Sequence, residues 1–216
     1  MGLEVGVLGP LTVEVEGERV HLGGRKQQRL LAILAAAGGE VRSSDFLVEH
    51  LWSGAPPATA TGTLQTYLTH VRRALEPDRP SGAPASVLVS QDGGYRLDLA
   101  PDALDSARFE EAVARWTAGA TEATADEASK SLASALALWR GPAFGTFANE
   151  DFARPVAVRL EELRMVAIEL RADADLLTGR HDALVAELES LVDRHPLREG
   201  LWSRLMVALY RSGRQA

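Results

Sequence analysis

The chain contains no cysteine, which excludes disulfides, thiolate metal sites and a cysteine nucleophile. It has no apolar run of about eighteen residues, so no membrane span and no membrane partner are expected. The opening MGLEVGVLGP lacks the charged n-region and small-residue cleavage site of a signal peptide, which makes the cytoplasm the expected compartment. The histidines His21, His50, His70, His181 and His195 share no metal-ligand spacing, and neither a metal nor any other cofactor is expected. GxSxG and HExxH are absent, and GGRKQQR lacks the GxxxxGK[ST] spacing of a phosphate loop. No pair of carboxylates stands out from helix-surface charge, and Asp173 and Asp175 are expected to face solvent. These absences count against an enzyme.

A basic excess is also missing. The net charge is −7 over 216 residues, the wrong sign for a chain that meets nucleic acid over its whole surface. The acidity is unevenly spread. Residues 1–97 hold 9 Lys and Arg against 10 Asp and Glu, whereas residues 98–216 hold 14 against 20. Within the first half, Arg25, Lys26, Arg29, Arg72 and Arg73 cluster at two helix termini, and Glu14, Glu16 and Glu18 lie apart in a hairpin. A local basic patch binds phosphate even on an acidic chain.

What the chain does have is a helix with a distinctive outer face. TATGTLQTYLTHVRRALEP (Thr59–Pro77) puts Leu64, Leu68, Val71 and Leu75 on one stripe. The opposite face carries Gly62, Thr66, Thr69, His70 and Arg73, with Thr59 and Thr63 beside them, and no carboxylate lies between Glu49 and Glu76. Hydroxyls, an imidazole and arginines without acids suit a helix laid against phosphates and base edges. SVLVSQDGGYRLDL (Ser86–Leu99) follows as two short strands around Asp92-Gly93-Gly94, a hairpin signal. Helix then hairpin reads as the recognition helix and wing of a winged helix-turn-helix. An amphipathic core helix followed by an unrelated hairpin is the bland alternative.

Upstream, Val5, Val7, Leu11, Val13, Val15, Val20 and Leu22 alternate as strands do, with Gly9-Pro10 and Glu16-Gly17 as turns. RKQQRLLAILAAAG forms a helix stopped by Gly38-Gly39, and SDFLVEHLW forms a second, capped by Ser43 or Ser44. SGAPPA (Ser53–Ala58) breaks the chain before the recognition helix. Glu76–Ala85 is a Pro/Gly-rich loop, and Leu99–Asp102 is the expected hinge between a domain over 1–99 and one over 100–216. From Asp105, expected to cap its own helix, the pattern is helical throughout. A long helix runs over about Arg154–Thr178 with Val158, Leu160, Leu163, Val166, Ile168 and Leu170 apolar, and HDALVAELESLVDRH and REGLWSRLMVALYRS follow.

Gly179 and Gly213 stand 34 residues apart, each followed by Arg, with Pro196 midway. That period is tetratricopeptide-like. Arg214-Gln215-Ala216 would open a partner helix, so Leu201, Leu205, Val207, Leu209 and Tyr210 are expected to stay partly uncovered and the chain to be a piece of something longer. The fold class expected is mainly α with small β sheets: an N-terminal winged helix-turn-helix followed by an all-α tetratricopeptide-like domain.

The direction of each side chain assigns roles. Thr66 and His70 point outward mid-helix and are the expected base readers. Thr63, Tyr67, Thr69, Arg72 and Arg73 flank them as phosphate ligands, of which only one arginine need touch DNA, and Ser43, Arg25 and Lys26 add phosphate contacts from the first two helices. At the wing, Ser90, Gln91 and Asp92 occupy the tip, so Tyr95 and Arg96 are expected to meet phosphate there rather than enter the minor groove.

Several segments resemble the Streptomyces antibiotic regulatory protein family. GVLGPLTVEVEGERVHLGGRKQQRLLAILAAAGGEV is similar to that family's opening, and LVEHLW, PPATATGTLQTYLTHVRRAL and GGYRLDL to its winged-helix signatures. DALDSARFEEAV, ALALWRGPAF, RLEELRMVAIEL and GRHDALVAELESLVDRHPLRE are similar to its helical activation domain. The resemblance implies a response-regulator-type DNA-binding domain and activation of secondary-metabolite genes, with the protein at the nucleoid. It implies two protomers side by side on a direct repeat of double-stranded DNA. It further implies that Trp52 donates its indole N–H to a phosphate, for which plain core packing is the even alternative. Ser53, Gly54, Ala55, Pro56, Pro57 and Ala58 become the contact to RNA polymerase holoenzyme, through sigma region 4 and the β flap. A protein-interaction scaffold built on the repeats is the rival non-enzymatic class.

Overall fold

Alternating valines build the first sheet. In the computed structural model, which describes residues 2–214, β1 (Leu3–Gly6), β2 (Thr12–Val15) and β3 (Glu18–Arg19) form an antiparallel sheet in that order. Val5 pairs with Val13, and both are buried with Val7 and Leu8. The β2–β3 turn uses Glu16 and Gly17 at φ 52° and 80°, the two left-handed residues a tight two-residue hairpin requires. α1 (Arg25–Ala36) buries Leu30, Leu31, Ile33 and Leu34. β4 (Arg42–Ser43) leads into α2 (Ser44–Trp52), and Ser43, not Ser44, is the cap: its Oγ accepts the Phe46 N–H at 3.2 Å.

α3 (Ala60–Leu75) buries Leu64, Leu68, Val71 and Leu75 as the stripe requires. β5 (Leu88–Gln91) and β6 (Gly94–Leu97) form the expected hairpin, turning through Asp92 and Gly93 at φ 48° and 77°. β4 joins them to give the order β4-β6-β5. Any side chain at Gly94 would collide with the Arg42 carbonyl, so a glycine there lets β4 close on β6. The Pro/Gly-rich loop before the wing is closed by the buried Glu76 carboxylate, which accepts the Ser86 N–H at 2.9 Å and hydroxyl at 2.6 Å.

α4 (Asp105–Trp116), α5 (Ala125–Leu136), α6 (Arg154–Leu177), α7 (His181–Arg194) and α8 (Glu199–Arg211) complete the described helices. The chain divides into two compact units, Met1–Arg108 with Trp139–Leu160 and Phe109–Leu138 with Glu161–Ala216. This is a different cut from one at residue 99, and its physical basis is a set of long-range polar contacts. The Val5 N–H donates to the Ala103 carbonyl at 2.7 Å, so the stretch expected to be a hinge runs straight into a sheet contact. Asp105 is buried, and its carboxylate accepts the Val7 and Leu8 N–H groups at 2.7 and 3.1 Å while pairing with Arg140 at 2.8 Å. It serves the first sheet instead of capping its own helix.

The segment over 139–153, expected to be helical, is mostly irregular, with a 3-10 turn at Gly145–Phe147. It lies as a strap on the first sheet: the Arg140 and Phe144 N–H groups donate to Leu8 and Val7 at 2.7 and 2.6 Å. Phe144 and Phe147 are buried. A Cβ at Gly145 (φ 51°) would come within 2.9 Å of Pro10 Cα, so glycine permits the close approach.

In the second unit, Ala172 and Leu176 pack with Leu184, Leu188, Leu191, Leu201 and Leu205. The 34-residue repeat shows in the backbone. The Arg180 N–H donates to Asp175 O and the Arg214 N–H to Leu209 O, both at 2.9 Å, over Gly179 and Gly213 at φ 78° and 72°. Leu201 and Leu205 are buried, contrary to expectation, whereas Val207 and Tyr210 are exposed as expected, together with Leu197, Trp202 and Met206. Val158 of α6, placed on the apolar face by its period, is exposed. Residues 215–216 lie outside the described residues. Asp175 is buried and takes the Ser129 hydroxyl at 2.6 Å and Arg180 at 2.8 Å, and Asp173 pairs with Arg204 at 2.6 Å. Neither is a free surface acid. Donors of this kind offset the hydration a carboxylate loses on burial.

Candidate nucleic-acid interface

The outer face of α3 is clear of other elements. Gly62, Thr66, Thr69, His70 and Arg73 are exposed and Thr63 is half-buried. No acidic residue occupies the first turn, so the positive end of the helix is uncompensated. The three threonines back-bond within the helix: Thr63 to Thr59 O at 3.0 Å, Thr66 to Gly62 O at 3.3 Å and Thr69 to Gln65 O at 2.8 Å. Their protons are thereby used, leaving methyl groups and oxygen lone pairs outward. That outer surface suits a thymine methyl or a base amino group. Among the described residues neither His70 nor Arg73 has a side-chain partner.

The two flanks of α3 do different work. On the side of α2, Tyr67 stacks on Trp52 with centroids 6.2 Å apart, and the Lys26 ammonium lies 5.3 Å from the indole centroid. Lys26 also donates to the Leu51 carbonyl at the end of α2. Burial and the nearby Arg29 pull its pKa below the usual lysine value, with Glu150 opposing. Trp52 is half-buried and its indole N–H has no partner among the described residues, so packing and donation are compatible roles for one side chain.

On the wing side, Arg72 donates to the Leu88 carbonyl at 2.9 Å and the Ser90 hydroxyl at 2.8 Å, and its guanidinium lies 5.7 Å from the Tyr95 ring centroid. Tyr95 is buried, and its hydroxyl accepts from Gln65 at 2.9 Å. Arg72 and Tyr95, read from sequence as phosphate ligands, fasten the wing to the helix. Arg96, on the other face of β6, pairs with Asp98 at 2.8 Å. Gln65, exposed at a helical angle between Thr69 and Arg72, was not singled out from sequence.

The basic cluster at the start of α1 is partly spoken for. Arg29 pairs with Glu150 at 2.7 Å and lies over the Phe152 ring, and the exposed Arg25 lies 5.9 Å from the Phe147 centroid. These partners belong to the strap, and no local pattern announces them. Ser43 is exposed, with its hydroxyl engaged as the α2 cap. The loop from Ser53 to Ala58 is exposed at every residue and opens through Ser53 and Gly54 at φ 53° and 81°.

Two family models match the chain. Residues 17–97 match "Transcriptional regulatory protein, C terminal" and residues 104–216 match "Bacterial transcriptional activator domain". The regulatory protein DnrI of Streptomyces peucetius is 38% identical over 98% of this chain and 79% of its own length. The chain belongs to the Streptomyces antibiotic regulatory protein family. Another relative, the transcriptional regulatory protein EmbR of Mycobacterium tuberculosis, is 36% identical over 99% of this chain. A solved structure of EmbR with a low-affinity phosphopeptide matches with a TM-score of 0.84 at 35% identity, covering 99% of this chain and 56% of that one. The chain spans about half the length of EmbR. These relatives are named as regulatory proteins, EmbR as a regulator of transcription. No described helix is long and apolar enough to cross a membrane.

Proposed function

We propose that the protein is a sequence-specific DNA-binding activator of secondary-metabolite genes, acting on a direct repeat near the promoter −35 region. The observation that carries this is the exposed, acid-free face of α3, with a hairpin fastened at its edge by Arg72. Such a helix fits the major groove, and its flanks meet the phosphates on either side. Thr66 and His70 read bases; Arg73, Thr63, Thr69, Tyr67, Trp52, Ser43, Arg25 and Arg96 hold phosphates, with Lys26 at the rim. Residues 1–99 carry the DNA-facing elements and 100–216 the activation function.

Two protomers bind side by side, and the Ser53–Ala58 loop, exposed and uncharged, meets sigma region 4 and the β flap of RNA polymerase. The acidic second half is poorly suited to DNA and well suited to basic surfaces on polymerase or a neighbouring protomer. Cytoplasmic residence at the nucleoid follows from this reading. The test is a mobility-shift titration on promoter DNA across salt concentrations. With about five phosphates contacted per protomer the log–log slope is about −5. A chain that fails to shift DNA at low salt is a scaffold and not an activator of this kind.

A further inference from the structure

Gln65 stands one turn before Thr69 on α3 and is exposed, yet its amide is not free to wander. Its Nε2 donates to the Tyr95 hydroxyl at 2.9 Å. That hydroxyl is a fixed point: the Tyr95 ring is buried beneath Arg72, which is itself bonded to two groups of β5. An unrestrained glutamine loses rotamer freedom when it binds a ligand, and a tether to a fixed acceptor removes part of that cost in advance.

The tether uses one amide N–H. The other N–H and the Oε1 atom have no partner among the described residues. A donor and an acceptor side by side on one amide match N7 and the N6 amino group of adenine in the major groove. The neighbouring threonine protons are spent on carbonyls one turn back, so Gln65 offers a donor–acceptor pair that they lack. It also lies in the N-terminal half of α3, the part of a recognition helix that meets base edges.

We infer that Gln65, oriented by the Tyr95 hydroxyl, reads one adenine of the target site, with Tyr95 as its positioning residue. This rests on the DNA-binding reading above. The test begins by selecting the preferred site of the wild-type chain from random DNA, then replacing each adenine of that site in turn by 7-deazaadenine, which lacks N7. Wild-type affinity is expected to fall at one such position, and Gln65→Ala to weaken the unmodified site by about 5- to 150-fold. Gln65→Ala is expected to show no additional loss on that one modified DNA. Tyr95→Phe keeps the ring under Arg72 and is expected to lose discrimination at the same base pair alone, by less than Gln65→Ala, with thermal stability close to wild type. If Gln65→Ala leaves the preference at every base pair unchanged, or weakens all sequences equally as a phosphate contact would, the inference is overturned. If the wild-type chain selects no sequence, the DNA-binding reading itself fails and the inference falls with it.

Discussion

Adjacent arginines on α3 have opposite fates, and that difference is testable. Arg73 is exposed without a side-chain partner among the described residues, whereas Arg72 is bonded to the wing. Arg73→Ala is expected to shrink the salt slope of DNA binding by about one and leave sequence preference unchanged. Arg72→Ala is expected to leave that slope closer to wild type while raising amide hydrogen exchange in Leu88–Gln91, because the wing loses its anchor. Equal slopes for Arg73→Ala and wild type would remove Arg73 from the interface. For the base readers, His70→Ala and Thr66→Ala are expected to lose about 1–3 kcal/mol on the preferred site and little on random DNA. Their exposure limits any effect on folding, so equal loss on both DNAs would show that these positions read no base.

Among elements, the strap changes what counts as the DNA-binding module. Asp105 reaches back to Val7 across 98 residues of sequence, and Glu150 to Arg29 across 121. Asp105→Asn weakens two backbone bonds in a buried site and strips Arg140 of its charge partner, and is expected to cost about 3 kcal/mol in urea denaturation. A fragment over 1–99 leaves the Val7 and Leu8 amides without that carboxylate, and it is expected to show no cooperative thermal transition. A 1–99 fragment that melts cooperatively and binds DNA would make the strap dispensable. The Ser53–Ala58 loop gives the complementary case. Gly54 sits at φ 81°, where any side chain is strained, so Ala55→Glu and Ala58→Glu are the cleaner probes. Both are expected to keep DNA affinity and lose activation in a reconstituted transcription assay, and normal activation would move the polymerase contact to the helical domain.

For the whole molecule, charge and symmetry set the expected assembly. A net charge of −7 disfavours association of free protomers at low salt, and a side-by-side contact on a direct repeat joins unlike surfaces. The chain is expected to sediment as a monomer alone and to load as two copies on a direct repeat with half-sites about one helical turn apart. A stable two-fold dimer without DNA, preferring palindromes, would overturn this arrangement.

What the sequence by itself determined is local. Apolar period set α3 and its buried stripe, Asp92-Gly93 set the wing turn, and the paired Gly-Arg steps set the repeat, because each depends on residues within a turn or two of one another. The exposed face of α3 followed from the same angles. Tertiary structure decided which charged groups are free. In a linear reading Arg29 belongs to a basic cluster, Arg72 is a phosphate ligand, Asp105 a helix cap and Asp175 a solvent-facing acid, yet each is held by partners brought near by the fold. A charged side chain carries no periodic signature of its partner, and burial without one is costly enough that the fold supplies it. Hence the main helices and the wing hairpin were legible from the chain alone, while the irregular strap over 139–153 and the partners of these charged groups were not.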